Sequence, residues 1–354
     1  KKFSIPVIAI TGTNGKTTTK ELMHAALSTE KRVHATAGNL NNHIGVPLTI
    51  LSMPLNTQIA IIEMGANKSG DIKELVEIAL PTHGLITNIG RAHLERFGDV
   101  KGVQKTKGEL FDYLRNAEAC IFLNLADERV VAVAENIACC VTYGSTAADT
   151  EVIAVDHLEA GMRISIGRET ERNVAVFPTQ LIGDHNIENV LAAVTVAWEM
   201  AVSTAAIQQG IADYQPRMNR TQLIPWDGKT ILLDAYNANP SSMEAAVRTV
   251  GQQARGQAAL VLGDMFELGP ESLKIHCELI RYVKQMLPDA TLIGIGKDMQ
   301  AAILAEAPPQ KHYLNTAEAS PHILADLAEM DFVLIKGSRG MALEKLLPYL
   351  GIEI

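Results

Sequence analysis

An α/β protein built on two mostly parallel sheets is what the sequence predicts, and three observations carry that prediction. Short apolar runs alternate with segments of helical spacing from the start to about residue 143. A turn punctuated by glycine, Gly12-Thr-Asn-Gly15-Lys16-Thr17, lies between the first apolar run and the first helical segment. The alternation lapses between about residues 150 and 182 and restarts beyond about residue 213. The expected class is a P-loop-type, mostly parallel sheet domain with a small antiparallel appendage, followed by a second Rossmann-like α/β domain, with bounds at 1–212 and 213–354.

In the first half, residues 7–10, 59–62, 84–87 and 120–123 are compact apolar runs that read as buried strands. Between them, residues 18–27, 72–79, 103–114 and 129–136 repeat apolar side chains at helical spacing. Residues 162–166 and 174–177 alternate apolar with polar side chains and have no helix between them, which suits an antiparallel pair. Two Ala-rich helices follow at 187–200 and 204–212, then a linker at 214–220. After the linker come strands at 231–233, 259–262, 291–295 and 332–335, with helices at 242–253, 273–286, 299–305 and 317–327. No tandem repeat or low-complexity tract interrupts the pattern.

With 354 residues, 47% of them hydrophobic, the chain can bury a core in each of two domains. A net charge of -9 with scattered Lys and Arg argues against nucleic-acid binding. No apolar run approaches the roughly 20 residues needed to cross a bilayer, and the start lacks a signal-peptide pattern, so a cytoplasmic protein with no membrane insertion is expected. Cys120, Cys139, Cys140 and Cys277 show neither CxxC spacing nor a dense framework and read as reduced thiols. The chain opens on Lys1 rather than Met, and residues 5–10 already read as a strand, so the sequence is expected to be a piece of something longer.

A strand ending at Ile10, then Gly12, Thr13, Asn14, Gly15, Lys16, Thr17 and Thr18, then a helix, directs backbone N–H groups and a helix N-terminus at a polyphosphate. Lys16 would reach the terminal phosphates and Thr17 would place its hydroxyl on Mg²⁺. The spacing departs from the standard P-loop, which asks for Gly where Ile10 stands. A Gly-rich helix cap would account for the glycines but not for Lys16-Thr17 directly after them.

Other residues gain meaning from position. Glu63 closes a strand at the end where open α/β sheets hold ligands, as a Mg²⁺ ligand or as a helix cap. His93 also follows a strand, and an imidazole there is a second metal ligand or a solvated side chain. Lys107 falls on a basic helical face beside Lys105. Asp184 or its neighbours would cap the helix that carries Asn186 and Asn189. Lys336, Ser338 and Arg339 follow a strand and could hold a carboxylate or phosphate, with a solvated Arg339 the alternative.

The string TGTNGKTTT resembles the Mur ligase family, ATP-dependent enzymes that join amino acids or peptides to a carboxylate. "EMGAN" at 63–67, "TNIGRAHLERFG" at 87–98, "HNxxN" at 185–189 and "DAYNANPSSM" at 234–243 resemble further family segments in family order, the first and last of them those of the branch that adds D-alanyl-D-alanine. The resemblance covers essentially the whole chain. It implies ATP and Mg²⁺ as cofactors, with UDP-N-acetylmuramoyl-tripeptide and D-alanyl-D-alanine as the partners joined through an acyl phosphate, in a monomer.

Residue by residue, it implies metal contacts from Thr17, Glu63, His93 and a carbamylated Lys107, with Lys105 as the competitor for that last position. It implies nucleotide contacts from the loop, Asn186, Asn189, Arg220, Asp234 and Asn237, leaving His185 open. Lys16, Lys107, His93 and Arg220 become the catalytic set, with Arg220 on the γ-phosphate, and Lys336, Ser338 and Arg339 the substrate set. Residues 213–218 become the expected hinge for a closure that excludes water from the acyl phosphate. Complete family members carry an N-terminal domain for the UDP end, which is expected to be missing here. A folylpolyglutamate synthetase, another ligase of the superfamily, and a P-loop phosphotransferase outside it are the alternatives.

Overall fold

The computed structural model describes residues 4–92, 94–144, 147–169, 171–307 and 310–353. The chain divides into two compact units, one taking residues up to 91 with 96–181 and 185–215, the other taking 92–95, 182–184 and 216–354.

In the first unit the order is β1 (Val7–Thr11), α1 (Lys16–Ser28), β2 (Val33–Ala35), α2 (Gly45–Leu51), β3 (Ile59–Glu63), α3 (Asp71–Ala79), β4 (His83–Ile86), α4 (Leu94–Phe97), α5 (Val100–Asn116), β5 (Cys120–Asn124), α6 (Glu128–Val133) and β6 (Cys139–Gly144). Then come β7 (Thr150–Leu158), β8 (Gly161–Arg168), β9 (Glu171–Thr179), α7 (His185–Glu199) and α8 (Thr204–Asp213). Among the described residues the strands form one sheet in the order β2-β3-β1-β4-β5-β6-β7-β8-β9.

β1 lies inside the sheet with a parallel neighbour on each side, Val7 opposite Ala60 and Ile8 opposite His83. A strand covered on both faces has no use for polar alternation, which is why its sequence is a continuous apolar run. One face is covered by α1, α7 and α8, where Leu22, Met23, Ala26 and Leu27 pack with Val190, Val194, Ile207 and Ile211. The other face is covered by α3 and α5 through Leu75, Val76, Leu110 and Phe111. Gly210 lets α8 approach α1 closely, since a Cβ there would sit 2.4 Å from the Ala25 carbonyl oxygen. The expected antiparallel appendage is β7, β8 and β9, pairing in sequence after β7 joins β6 in parallel.

The second unit runs β10 (Gln222–Trp226), β11 (Lys229–Asp234), α9 (Pro240–Gln253), β12 (Ala258–Gly263), α10 (Ser272–Met286), β13 (Thr291–Ile295), α11 (Lys297–Glu306), β14 (Lys311–Tyr313), α12 (Thr316–Ala319), α13 (Ile323–Asp326) and β15 (Phe332–Lys336). Its sheet order is β10-β11-β15-β12-β13-β14, parallel except for the β10–β11 pair. The mostly parallel α/β class is the one the sequence indicates for both halves.

Two expectations change. The helix expected at 317–327 is two short turns, α12 and α13, with Pro321 between them. Proline has no N–H to give the turn behind it and crowds the backbone of the residue before, so the helix cannot run through. The cysteines are not all reduced, because Cys120 and Cys139 are disulfide-bonded while Cys140 and Cys277 are free. They are register partners on β5 and β6, and this brings their Cα atoms to 4.6 Å. Spacing in sequence carries no sign of that register.

Candidate active site

The site of the first unit forms where β1, β3 and β4 deliver their carboxyl ends. Gly12 has φ +146°, and a Cβ there would lie 2.0 Å from the Thr87 hydroxyl oxygen. Gly15 has φ +78°, and its Cβ would lie 2.3 Å from Asn189 Oδ1. Both positions therefore need glycine for backbone angle and for space. Gly15 precedes α1 with no side chain capping the helix, so the first-turn N–H groups face the same place as the loop.

The loop is braced from the β4 end. Thr13 N–H donates to the Asn88 carbonyl at 2.9 Å, Asn14 N–H to Asn88 Oδ1 at 2.9 Å, and Thr87 Oγ1 to the Asn14 carbonyl at 2.6 Å. Gly90 N–H donates to Thr13 Oγ1 at 2.9 Å. Asn124, which ends β5, and Asp127 just beyond it hold this brace in turn, the Asn124 amide donating to the Thr87 carbonyl and Asp127 accepting from the Ile89 N–H. Lys16 folds back across the loop, its ammonium donating to the carbonyls of Gly12 at 2.8 Å and Thr13 at 3.1 Å.

Thr17 Oγ1 donates to Glu63 Oε1 at 3.2 Å, and Asn41 Nδ2 donates to the same oxygen at 2.8 Å. Glu63 is 1% exposed, and its other oxygen, Oε2, is buried without a hydrogen-bond partner. A buried anionic oxygen that accepts no hydrogen bond, beside a threonine hydroxyl, suits a hard divalent cation such as Mg²⁺, completed by oxygens that the protein does not supply. No cluster of three His, Cys, Asp or Glu side chains stands ready to hold a metal among the described residues, consistent with so sparse a protein ligand set.

Lys107 on α5 is buried, and its amine is pushed down to about 7, first by desolvation and next by the charge of Lys16. Lys105 on the same helix is exposed, which separates the two. His93 lies outside the described residues.

Asn186 and Asn189, in the first turn and a half of α7, are buried and bonded to each other, Asn189 Nδ2 donating to Asn186 Oδ1 at 2.9 Å. Asn189 Oδ1 accepts from Thr19 Oγ1 at 3.0 Å, so this asparagine props α1 and Gly15. His185 is exposed, 3.2 Å from the Asn186 amide.

In the second unit a separate polar group gathers at the carboxyl ends of β11, β12 and β15. Asp234 and Lys336 are register partners and ion-paired, and Lys336 also donates to the Asn237 carbonyl at 3.1 Å. Lys336 is 1% exposed, so its ammonium is engaged within the unit rather than presented to solvent. Asp234 Oδ1 accepts from Thr221 N–H at 3.2 Å, and Asn237 turns its side-chain oxygen to the Ala238 N–H. The Arg220 guanidinium stacks on Tyr236, 3.7 Å from the ring centroid, with Nε buried and unpartnered. Around it Met218, Asn219 and Thr221 have φ of +58°, +56° and +48°, a run of left-handed backbone that is costly, above all for a β-branched threonine.

Ser338 is buried, accepting from Phe266 N–H at 2.9 Å, and Arg339 is exposed and paired with Glu344 at 2.8 Å. Asp264, in the 263–269 segment that follows a strand, and His276, which no motif marks, hold the rim of this sheet. Asp264 accepts from Met299 N–H at 2.8 Å at the start of α11, and fully buried His276 accepts from Met265 N–H at 2.9 Å.

Comparison with known proteins completes the description. The model of the Mur ligase middle domain matches residues 10–197, and that of the Mur ligase, glutamate ligase domain matches residues 217–339. Two UDP-N-acetylmuramoyl-tripeptide–D-alanyl-D-alanine ligases are similar over 96% of this chain. The one from Bacillus subtilis is 35% identical with 74% of its length covered, and the one from Escherichia coli is 34% identical with 75% covered. A crystal structure of MurF from Acinetobacter baumannii, 30% identical, superposes with a TM-score of 0.90 over 98% of this chain and 76% of its own.

Proposed function

Because this chain belongs to the Mur ligase family, we propose that it joins D-alanyl-D-alanine to the terminal carboxylate of UDP-N-acetylmuramoyl-tripeptide with consumption of ATP, a step of peptidoglycan synthesis in the cytoplasm. The observation that carries the proposal is the glycine loop that sets Lys16 and Thr17 at an uncapped helix N-terminus with Thr17 bonded to Glu63, a place for the phosphates of ATP, since a carboxylate must be activated before an amine can displace its oxygen.

A carboxylate is a poor electrophile. One of its oxygens attacks the γ-phosphorus, ADP leaves, and the resulting acyl phosphate is open to the dipeptide amine, which expels phosphate as the amide forms. Backbone N–H groups of the loop and the Lys16 ammonium bind and orient the phosphates and stabilise charge in transit. Thr17 and Glu63 would hold Mg²⁺, which when bound neutralises phosphate charge. We assign Arg220 to the γ-phosphate, Asp234 and Asn237 to the nucleotide, Asn186 and Asn189 to the adenine end, and Ser338 and Arg339 to substrate. Lys336, which the sequence placed in the substrate set, then serves the nucleotide contacts indirectly, by fixing Asp234 and the Asn237 carbonyl.

The test is phosphate release from Mg²⁺-ATP and UDP-N-acetylmuramoyl-tripeptide with and without D-alanyl-D-alanine, with mass analysis of the product. Release that depends on the dipeptide and yields the joined product is the expected result. Transfer of phosphate without amide formation would instead identify a phosphotransferase.

Lys107 supports one more element of the proposal. An amine lowered to about 7 is largely neutral just above neutrality, and only the neutral amine adds CO₂, losing one proton to give an anionic carbamate. With ¹³C-bicarbonate, a carbamate carbon resonance should grow as pH rises through 7 and be missing from Lys107→Gln. The same resonance in that variant would place the modification elsewhere.

A further inference from the structure

Lys20 lies one helical turn beyond Lys16 on α1, where sequence alone gives it no task. It is 0% exposed. Its ammonium donates to the Thr36 carbonyl at 2.6 Å and the Gly38 carbonyl at 3.2 Å, and meets Glu21 Oε1 at 3.0 Å. Two hydrogen bonds and the ion pair with Glu21 thus engage the ammonium, and Glu63 Oε2 lies 3.6 Å away, paired with the charge but accepting no hydrogen bond from it.

The 36–41 segment that Lys20 grips also ends on Glu63. Thr36 Oγ1 accepts from Glu63 N–H at 3.0 Å, Asn41 Nδ2 donates to Glu63 Oε1 at 2.8 Å, and the Asn41 carbonyl accepts from Gly65 N–H at 2.7 Å. Gly65 makes that approach possible, because a Cβ there would lie 2.8 Å from Asn41 Oδ1. From these contacts we infer that Lys20 is a positioning residue. It clamps the 36–41 segment to α1 so that Asn41 and Thr17 occupy one oxygen of Glu63 and leave the other open to a cation.

The arrangement separates two jobs a buried lysine could do. An ammonium bonded to Glu63 Oε2 would compete with a metal for that oxygen. One already held by two carbonyls and paired with Glu21 lends its charge to Glu63 from 3.6 Å in a dry site without taking a hydrogen bond to the free oxygen. Its effect on the metal passes through the geometry of Asn41 and Glu63, as with groups that orient a ligand without touching the metal.

This inference rests on the nucleotide-site reading above. The test is Mn²⁺ binding, followed by electron paramagnetic resonance with a non-hydrolysable ATP analogue, on the intact chain and on Lys20→Met, Asn41→Ala and the double variant. Loss of an orienting group should weaken Mn²⁺ binding by about 10- to 100-fold in Lys20→Met. The double variant should lose no more than the worse single one, because both act through one carboxylate. Folded Lys20→Met that binds Mn²⁺ like the parent chain, or losses that multiply in the double variant, would overturn it. Should Lys20→Met not fold, Asn41→Ala decides alone, with weakened binding expected and unchanged binding contrary. A parent chain that binds no Mn²⁺ with the analogue would instead remove the nucleotide-site reading itself.

Discussion

Lys16→Met should lower turnover by about 10³-fold, equivalent to about 4 kcal/mol of barrier, while leaving the protein folded. Methionine keeps the stem, so packing changes little, and the carbonyls of Gly12 and Thr13 that Lys16 now bonds can turn to water. What is lost is a positive charge at the phosphates, where charge redistributes most as the phosphoryl group moves. The loss should fall on kcat more than on nucleotide affinity, because the loop N–H groups and the helix N-terminus still hold the ground state.

A second signature follows from the charge that Lys16 exerts on Lys107. That charge helps to push the Lys107 amine down, so removing it lets the amine rise from about 7 and moves the onset of the carbamate resonance to higher pH. Single-turnover rates and the ¹³C titration on one sample check both effects. Turnover within tenfold of the parent chain would end the assignment of Lys16 to the phosphates.

The parts of this site that were legible in the sequence are those made by local necessity. Gly12 and Gly15 are glycines because the backbone turns there and Thr87 and Asn189 leave no room for a side chain, and such turns punctuate a sequence visibly. Glu63 was legible because it ends an apolar strand, and strand ends face ligands. Lys20 was not, because a lysine on an amphipathic helix ordinarily reaches solvent. Only the fold brings the carbonyls of Thr36 and Gly38 over it.

The same distinction holds for the elements. β2 and β14, at three residues each, are too short to show a period and are specified by the neighbours they pair with. β6, whose residues are only partly buried through most of its length, shows little apolar contrast, and the disulfide it makes depends on its register with β5. The break at Pro321 was open to view, and helical spacing across 317–327 obscured it.

The ion pair of Asp234 and Lys336 joins residues 102 apart and gives the second large effect. Lys336→Met should destabilise the second unit by about 3–5 kcal/mol, the usual cost of stripping one partner from a buried pair. The Lys336 side chain is 2% exposed and that of Asp234 is 20% exposed, so water can replace the lost ammonium at this carboxylate only in part. The substitution also removes the Lys336 donor from the Asn237 carbonyl, at the turn that leads into α9, while Asp234 keeps its bond from Thr221 N–H. At roughly 2–4 °C per kcal/mol for a unit of this size, the melting transition of the second unit should fall by about 10 °C. Adding Asp234→Asn to Lys336→Met should return much of that loss, since the uncompensated charge goes with it, and calorimetry of both variants reads the comparison directly. If Lys336→Met costs less than about 1 kcal/mol, the pair behaves like an exposed one, and Lys336 is available for the substrate contact that its position at the carboxyl end of β15 suggests.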